Sequence, residues 1–288
     1  VAAIRTTTGL KWSAAILLAP SLLLVVGLLF IPVLQLTEAS FHVSSYGALQ
    51  PEFTIQNYKE VMGSAQYAYL FGATFLAAAV VTLACLVLGY PLAAQLAYAS
   101  PRWRGVLYFL LTAPLLVNTV VRTYGWLLIL GRQGVVNSIL VNGGFLSSPL
   151  ILSGTYLGMI IGATQVFLPF MALSIATSLE GIDRRLIESS DVMGASPART
   201  FLRVMLPLSM PGVISGCVLV FSLMLGAFVT PLILGGSAIR YLSVAVYTDA
   251  LVLFNLPRAI ALALILLLCV IVIDAVQRIL LRRYARFS

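Results

Sequence analysis

Six long apolar runs, at residues 13–34, 68–98, 105–131, 152–178, 208–234 and 256–281, alternate with shorter polar segments along the chain. Each run approaches or exceeds the roughly 20 residues that carry an α-helix across a bilayer. The pattern predicts an all-α integral membrane protein with six transmembrane helices. Pro20, Pro91, Pro114, Pro169 and Pro231 interrupt the runs, which membrane helices tolerate because neighbouring groups satisfy the freed backbone. The first run follows Arg5 and Lys11. It is longer than the roughly 7–15-residue core of a signal peptide, so it reads as a retained helix.

The polar segments differ in character. Residues 35–67 mix Phe41, Tyr46, Phe53, Tyr58 and Tyr67 with Glu38, Glu52 and Glu60. Such a segment is expected to be partly structured, either touching a soluble partner or lying as an aromatic belt at the interface. Residues 132–151 are turn-rich and fit a re-entrant or short interfacial piece, and residues 235–255 carry Arg240, Tyr241, Tyr247 and Asp249. Between the fourth and fifth runs stand four acids (Glu180, Asp183, Glu188, Asp191) and four arginines (Arg184, Arg185, Arg199, Arg203). Asp183 is suited to cap a short helix carrying Leu186, Ile187, Val192 and Met193. Gly194 then frees the chain to turn. Ser196-Pro197 reads as the cap and first residue of a second short helix with Arg199 and Arg203 one turn apart, and Leu206-Pro207 marks the return to the bilayer. Two readings fit this loop: a hairpin held by its own charge pairs, or a structured element that docks something soluble.

Composition agrees with membrane insertion: 61% of residues are hydrophobic, 9% charged, and mean hydropathy is +1.06, whereas soluble domains carry about 25% charged residues. The net charge of +8 reports orientation and gives no sign of a nucleic-acid surface. With the N-terminus inside, Arg5, Lys11, Arg102, Arg104, Arg184, Arg185, Arg199, Arg203, Arg278, Arg282, Arg283 and Arg286 all lie on the inner side, 12 of the 17 basic residues. The positive-inside bias therefore predicts cytoplasmic N- and C-termini. Arg282, Arg283 and Arg286 read as a stop and headgroup anchor, with lipid-specific binding as the alternative.

Little in the chain suggests catalysis. Cys85, Cys217 and Cys269 fall singly inside apolar runs, His42 has no partner at ligand spacing, and no metal site is expected. There is no GxxxxGK[ST] phosphate loop, so ATP and Mg, if they drive transport, belong to a partner subunit. Polar and aromatic residues in or beside the apolar runs, Arg122, Tyr124, Trp126, Gln165, Phe228, Thr230 and Asp249, are candidates to line a translocation path if the chain carries a solute. Arg122 either meets an anionic group on a solute or snorkels or pairs with another helix. Gln165 and Thr230, with Asn118 and Thr164, equally suit hydrogen bonds between helices. An ion-coupled secondary transporter would call for intramembrane acids and inverted repeats, and neither is evident.

The spacing Glu188-Ser189-Ser190, three residues, Gly194, nine residues, Val204, one residue, Leu206-Pro207 resembles the EAA loop of the membrane subunits of binding-protein-dependent ABC importers. Two serines stand for alanines and a valine for an isoleucine. The segments Arg122-Thr123-Tyr124-Gly125-Trp126 and Gly226-Ala227-Phe228-Val229-Thr230-Pro231, with Leu234-Gly235-Gly236 following, are similar to those of spermidine and putrescine permeases. The resemblance covers residues 68–281.

The resemblance implies a permease whose EAA loop, between helices four and five, holds a coupling helix seated on a cytoplasmic ATPase. Leu186, Glu188, Ser189, Ser190, Val192, Met193, Gly194, Leu206 and Pro207 are then the coupling residues. The implied partners are a second six-helix permease in a heterodimer with this chain, a homodimeric ATPase and a periplasmic solute-binding protein, in a bacterial inner membrane. Three regions are implied: residues 1–67, with the first helix and a periplasmic segment; the core, 68–281; and a basic tail, 282–288. A polyamine is the first solute implied. Some polyamine permeases carry an acid where this chain has Ala227, so an amino-acid-like, opine or other small organic solute stays open.

Overall fold

In the computed structural model, residues 7–45, 48–236 and 240–284 are described. In chain order the elements are α1 (Thr7–Ala39), β1 (His42–Ser45), β2 (Ala48–Phe53), α2 (Gln56–Gly63), α3 (Ala65–Tyr98), α4 (Pro101–Thr112), α5 (Thr119–Ile129), α6 (Val135–Asn142), α7 (Tyr156–Glu180), α8 (Arg184–Val192), α9 (Pro197–Thr200), α10 (Leu206–Leu225), α11 (Val229–Gly235), α12 (Leu242–Tyr247) and α13 (Leu256–Tyr284). The chain divides into two compact units. Unit one holds residues up to Gly63 with Tyr247–Leu264, and unit two holds Ser64–Val246 and the chain from Ile265.

Among the described residues five helices are long and apolar enough to cross a membrane: Leu18–Ala39, Ala65–Tyr98, Tyr156–Glu180, Pro197–Leu225 and Leu256–Ile279. The apolar run at 105–131 is not one straight helix. Its two halves, Pro101–Leu116 and Thr119–Ile129, meet at 98°, and the count reaches six only if this bent pair is one span. The cause is local. Pro114 has no N–H to give, and the chain tightens there into a 3-10 turn over Ala113–Leu116. Val117 and Asn118 then take ψ values of 133°, and the Asn118 side chain starts the new helix by accepting from Val120 N.

The run at 208–234 also divides differently from the pattern. Its helix starts eleven residues earlier, at Pro197, and ends at Gly226, after which α11 stands separately. Within this helix Phe201–Met205 is a π turn, in which Leu206 N donates to Phe201 O. Pro207 lacks the N–H that Arg203 O would otherwise accept, which loosens the ladder at this point.

Unit two is built on α3, α7 and α10. Lipid tails are as apolar as leucine, so helices in a bilayer associate through close packing and hydrogen bonds more than through the hydrophobic effect. The contact surfaces reflect this. Gly212 and Gly216 of α10 lie against Ser174, Ser178 and Met171 of α7, and Gly89 of α3 lies against Met171 and Ala172. Ala77, Ala78, Ala93, Ala172 and Ile175 are buried around them. Tyr90 and Ser209 share a buried hydrogen bond of 2.8 Å. Beyond the end of α10, Tyr241 Oη donates to Met224 O at 2.5 Å and Ser243 Oγ to Ala227 O at 2.5 Å. These bonds add side-chain donors to carbonyls at the break between α10 and α11. Burial pushes the Tyr241 phenol well above its usual range.

Unit one contains the segment expected to be partly structured. It forms an antiparallel hairpin with a bulge at His42/Val43, followed by α2. Asn57 Nδ2 donates to Ser40 O and His42 O, and the His42 ring bonds Gln50 O at 2.8 Å. Asp249, expected as an outer acid, is buried at 4% exposure and grips Arg258 by two bonds of 2.8 and 3.1 Å. Glu60 lies farther from the same guanidinium, at 4.0 Å, and is more exposed. Removing one partner of a buried pair strands the other. Asp249→Asn is therefore expected to cost about 3 kcal/mol, against less than about 1 kcal/mol for Glu60→Gln. Thermal melting of the two variants in detergent checks the order.

Candidate coupling loop and translocation site

After α7 ends at Glu180, the chain turns through Gly181 and the buried Ile182. Asp183 Oδ1 accepts from Arg185 N at 3.0 Å and caps α8, which carries the sequence Arg184–Val192. The helix stops in a Schellman arrangement: Gly194 has φ +75° and Ala195 N donates to Ser190 O at 3.1 Å. Pro197 then opens α9, with Arg199 N and Thr200 N donating to Ser196 O. The second helix of the loop is thus the beginning of the Pro197–Leu225 span and not a separate short helix.

Two kinds of residue share the loop. Ser190, expected among the docking residues, is buried and bonds Thr200 across the turn at 2.9 Å. It holds α8 against α9. Thr200 had no mark in the sequence, since a pairing over ten residues matches no local period. The side chains that reach outward are Leu186 (50% exposed), Val192 (89%) and Met193 (80%). Glu188 and Ser189 are also exposed, and Ser189 Oγ donates to Arg185 O. Leu206 is half-buried, while Pro207 is exposed beside the π turn. Among the described residues no ion pair joins the loop's arginines to Asp183 or Glu188. Arg184 instead lies over the Tyr98 ring, 5.7 Å from its centroid. Among the described side chains, capping, Gly194 and the Ser190–Thr200 bond hold this hairpin.

The candidate path residues are only partly gathered. Trp126 Nε1 of α5 donates to Gln165 Oε1 of α7 at 3.1 Å. Thr230 of α11 is buried near Gly162, one turn from Gln165, and α11 packs on both α5 and α7. Phe228 precedes α11 and its carbonyl accepts from Leu232 N. Tyr124 is exposed. Arg122 spans the bend, donating from Nη1 to Pro114 O at 2.8 Å, while its Nε is buried without a hydrogen-bond partner. Asp249 belongs to unit one, engaged by Arg258. Among the described residues no group of three or more His, Cys, Asp or Glu could hold a metal ion.

Long apolar helices with a short capped polar helix between two of them define an α-helical membrane protein. Residues 86–286 match the family described as binding-protein-dependent transport system inner membrane component. The chain is 33% identical over 221 residues to the spermidine/putrescine transport system permease protein PotB of Haemophilus influenzae, covering 76% of this chain and 77% of that one. It is 35% identical over 209 residues to PotB of Escherichia coli K12, covering 72% and 76%. Its fold is similar to that of a chain in the crystal structure of a bacterial ABC transporter that imports the acidic polysaccharide alginate: TM-score 0.77, 18% identity, and coverage of 95% and 96%. The chain belongs to the family of inner membrane components of binding-protein-dependent transport systems, and it is the permease of such an importer.

Proposed function

We propose that this permease takes up a polyamine, spermidine or putrescine, delivered by a periplasmic binding protein and driven by a separate cytoplasmic ATPase. In this reading the chain crosses the bacterial inner membrane six times, the bent pair counting once, with both termini in the cytoplasm. It pairs with a second six-helix permease and contacts a homodimeric ATPase that binds ATP and Mg. The transport core is residues 68–281, flanked by the N-terminal 1–67 and the basic tail 282–288. The EAA loop is Glu188–Pro207, and α8 is its coupling helix.

The observation that carries this reading is the exposure of Leu186, Val192 and Met193 on a polar, rigidly capped loop. Outward apolar side chains on such an element suit an anchor in a protein groove, with Glu188 placed to meet a basic group there. Met193→Asp is expected to lower ATPase retention about tenfold, read by co-purification. The polyamine assignment is supported by the relatives. Asp249 is already engaged by Arg258, so Asp274 and carboxylates of the partner permease are left for a polycation, with Trp126, Tyr124 and Phe228 offering aromatic faces to an ammonium.

The test is reconstitution of the whole importer in liposomes. Spermidine-loaded binding protein should stimulate ATP hydrolysis and uptake. Ion-driven uptake by this chain alone would overturn the importer reading, and stimulation by an amino acid but not by polyamines would overturn the solute.

A further inference from the structure

The bent span of unit two is tied to α7 on both arms. Arg104 and Tyr108, four residues apart on one face of α4, both reach Glu180 Oε1, the guanidinium as an ion pair and the phenol at 2.8 Å. Glu180 is the last residue of α7, and α8 begins at Arg184. On the other arm Trp126 of α5 donates to Gln165 of α7. Between the arms, Arg122 reaches back from α5 to Pro114 O, which fixes the corner. No residue of α4 is buried. Within this chain, α4 therefore lacks the interdigitated packing that transmits strain through a core, and polar ties must position it.

We propose that Glu180, gripped by Arg104 and Tyr108, is the positioning residue through which movement of α8 reaches the bent span and the Trp126–Gln165 contact. The inference rests on α8 being the ATPase-docking helix. Two donors on one carboxylate oxygen restrain α4 along two directions, and Arg184 over Tyr98 ties the start of α8 to the end of α3 on the same side. Displacing α8 pulls on Glu180 and swings α4 about its corner. α7 itself, close-packed against α10 at Gly212 and Gly216, yields less.

The test uses the complete transporter, with Cys85, Cys217 and Cys269 of this chain replaced by alanine and with partner subunits lacking accessible cysteine. Spin labels are placed at Phe109→Cys and Leu128→Cys, both exposed and one on each arm. Vanadate trapping of nucleotide is expected to change the distance between the labels. Glu180→Gln should remove more than half of that change while the ATPase still co-purifies and hydrolyses ATP. The exchange Arg104→Glu with Glu180→Arg should restore it, whereas a merely structural role would lower ATPase retention and hydrolysis along with the distance change. A full distance change in Glu180→Gln, or no recovery in the exchange, overturns the proposal. Parental ATPase retention in Met193→Asp would sink the docking reading itself, and it is visible before any distance is measured.

Discussion

Replacing Gly194 by valine is expected to abolish uptake while membrane insertion and basal ATP hydrolysis persist. Gly194 sits at φ +75°, a conformation that costs an L-residue about 1–2 kcal/mol and a β-branched one more. A Cβ there would meet nothing within 4 Å in this chain, so the penalty is conformational and not steric. To relieve it the turn must open and give up the Ala195–Ser190 bond that ends α8. Val192 and Met193 lie immediately before that turn and would lose their fixed direction. Asparagine tolerates the left-handed region, so Gly194→Asn should keep uptake within about threefold of the parent. The ratio of solute transported to ATP hydrolysed in liposomes separates the cases. Parental coupling in Gly194→Val would remove α8 as the lever. Equal failure of both variants would show that the ATPase surface itself needs the missing side chain.

Features that depend on local chemistry were legible in the sequence. Asp183 and Gly194 mark the ends of α8 because capping acts over two to five residues, and Pro197 opens α9 although the Ser196 side chain makes no capping bond. Membrane spans were legible as apolar runs, but hydropathy reports the solvent around a helix and not its direction. The run at 105–131 therefore hid a 98° corner, although Pro114 and Asn118 were its local signals. The hairpin at 42–53 lacks the strict alternation that announces a strand. The Asp249–Arg258 pair spans nine residues with a π turn between them, a spacing that no helical rule anticipates. The Trp126–Gln165 bond of the candidate path and the Ser190–Thr200 bond of the loop depend on tertiary placement. One readable signal went unused: Gly212-xxx-Gly216 facing Ser174-xxx-Ser178, the small-residue spacing of close helix pairs.

That seam carries the largest effect expected on stability. A Cβ at Gly212 would stand 2.6 Å from Ser174 O, 2.5 Å from Ser178 Oγ and 2.8 Å from Ser178 Cβ. A backbone carbonyl inside α7 cannot rotate away, so Gly212→Leu must push α10 and α7 apart along their whole contact. Overpacking of this kind costs about 3 kcal/mol, and here it also removes the close approach on which association in lipid depends. Gly216 makes a graded comparison. Its nearest obstacle is Met171 Sδ at 2.7 Å, part of a flexible side chain, so Gly216→Ala is expected to cost only about 1 kcal/mol. Gly72 of α3 has nothing within 4 Å, and Gly72→Ala should be neutral or slightly stabilising, since alanine favours helix by up to about 1 kcal/mol. Thermal melting in detergent should therefore rank the variants with Gly212→Leu lowest, Gly216→Ala next and Gly72→Ala at or above the parent. If Gly212→Leu melts with the parent, α7 and α10 are not held by this contact. α7 would then be free to slide with α8, and the bent span would no longer be the element that yields first.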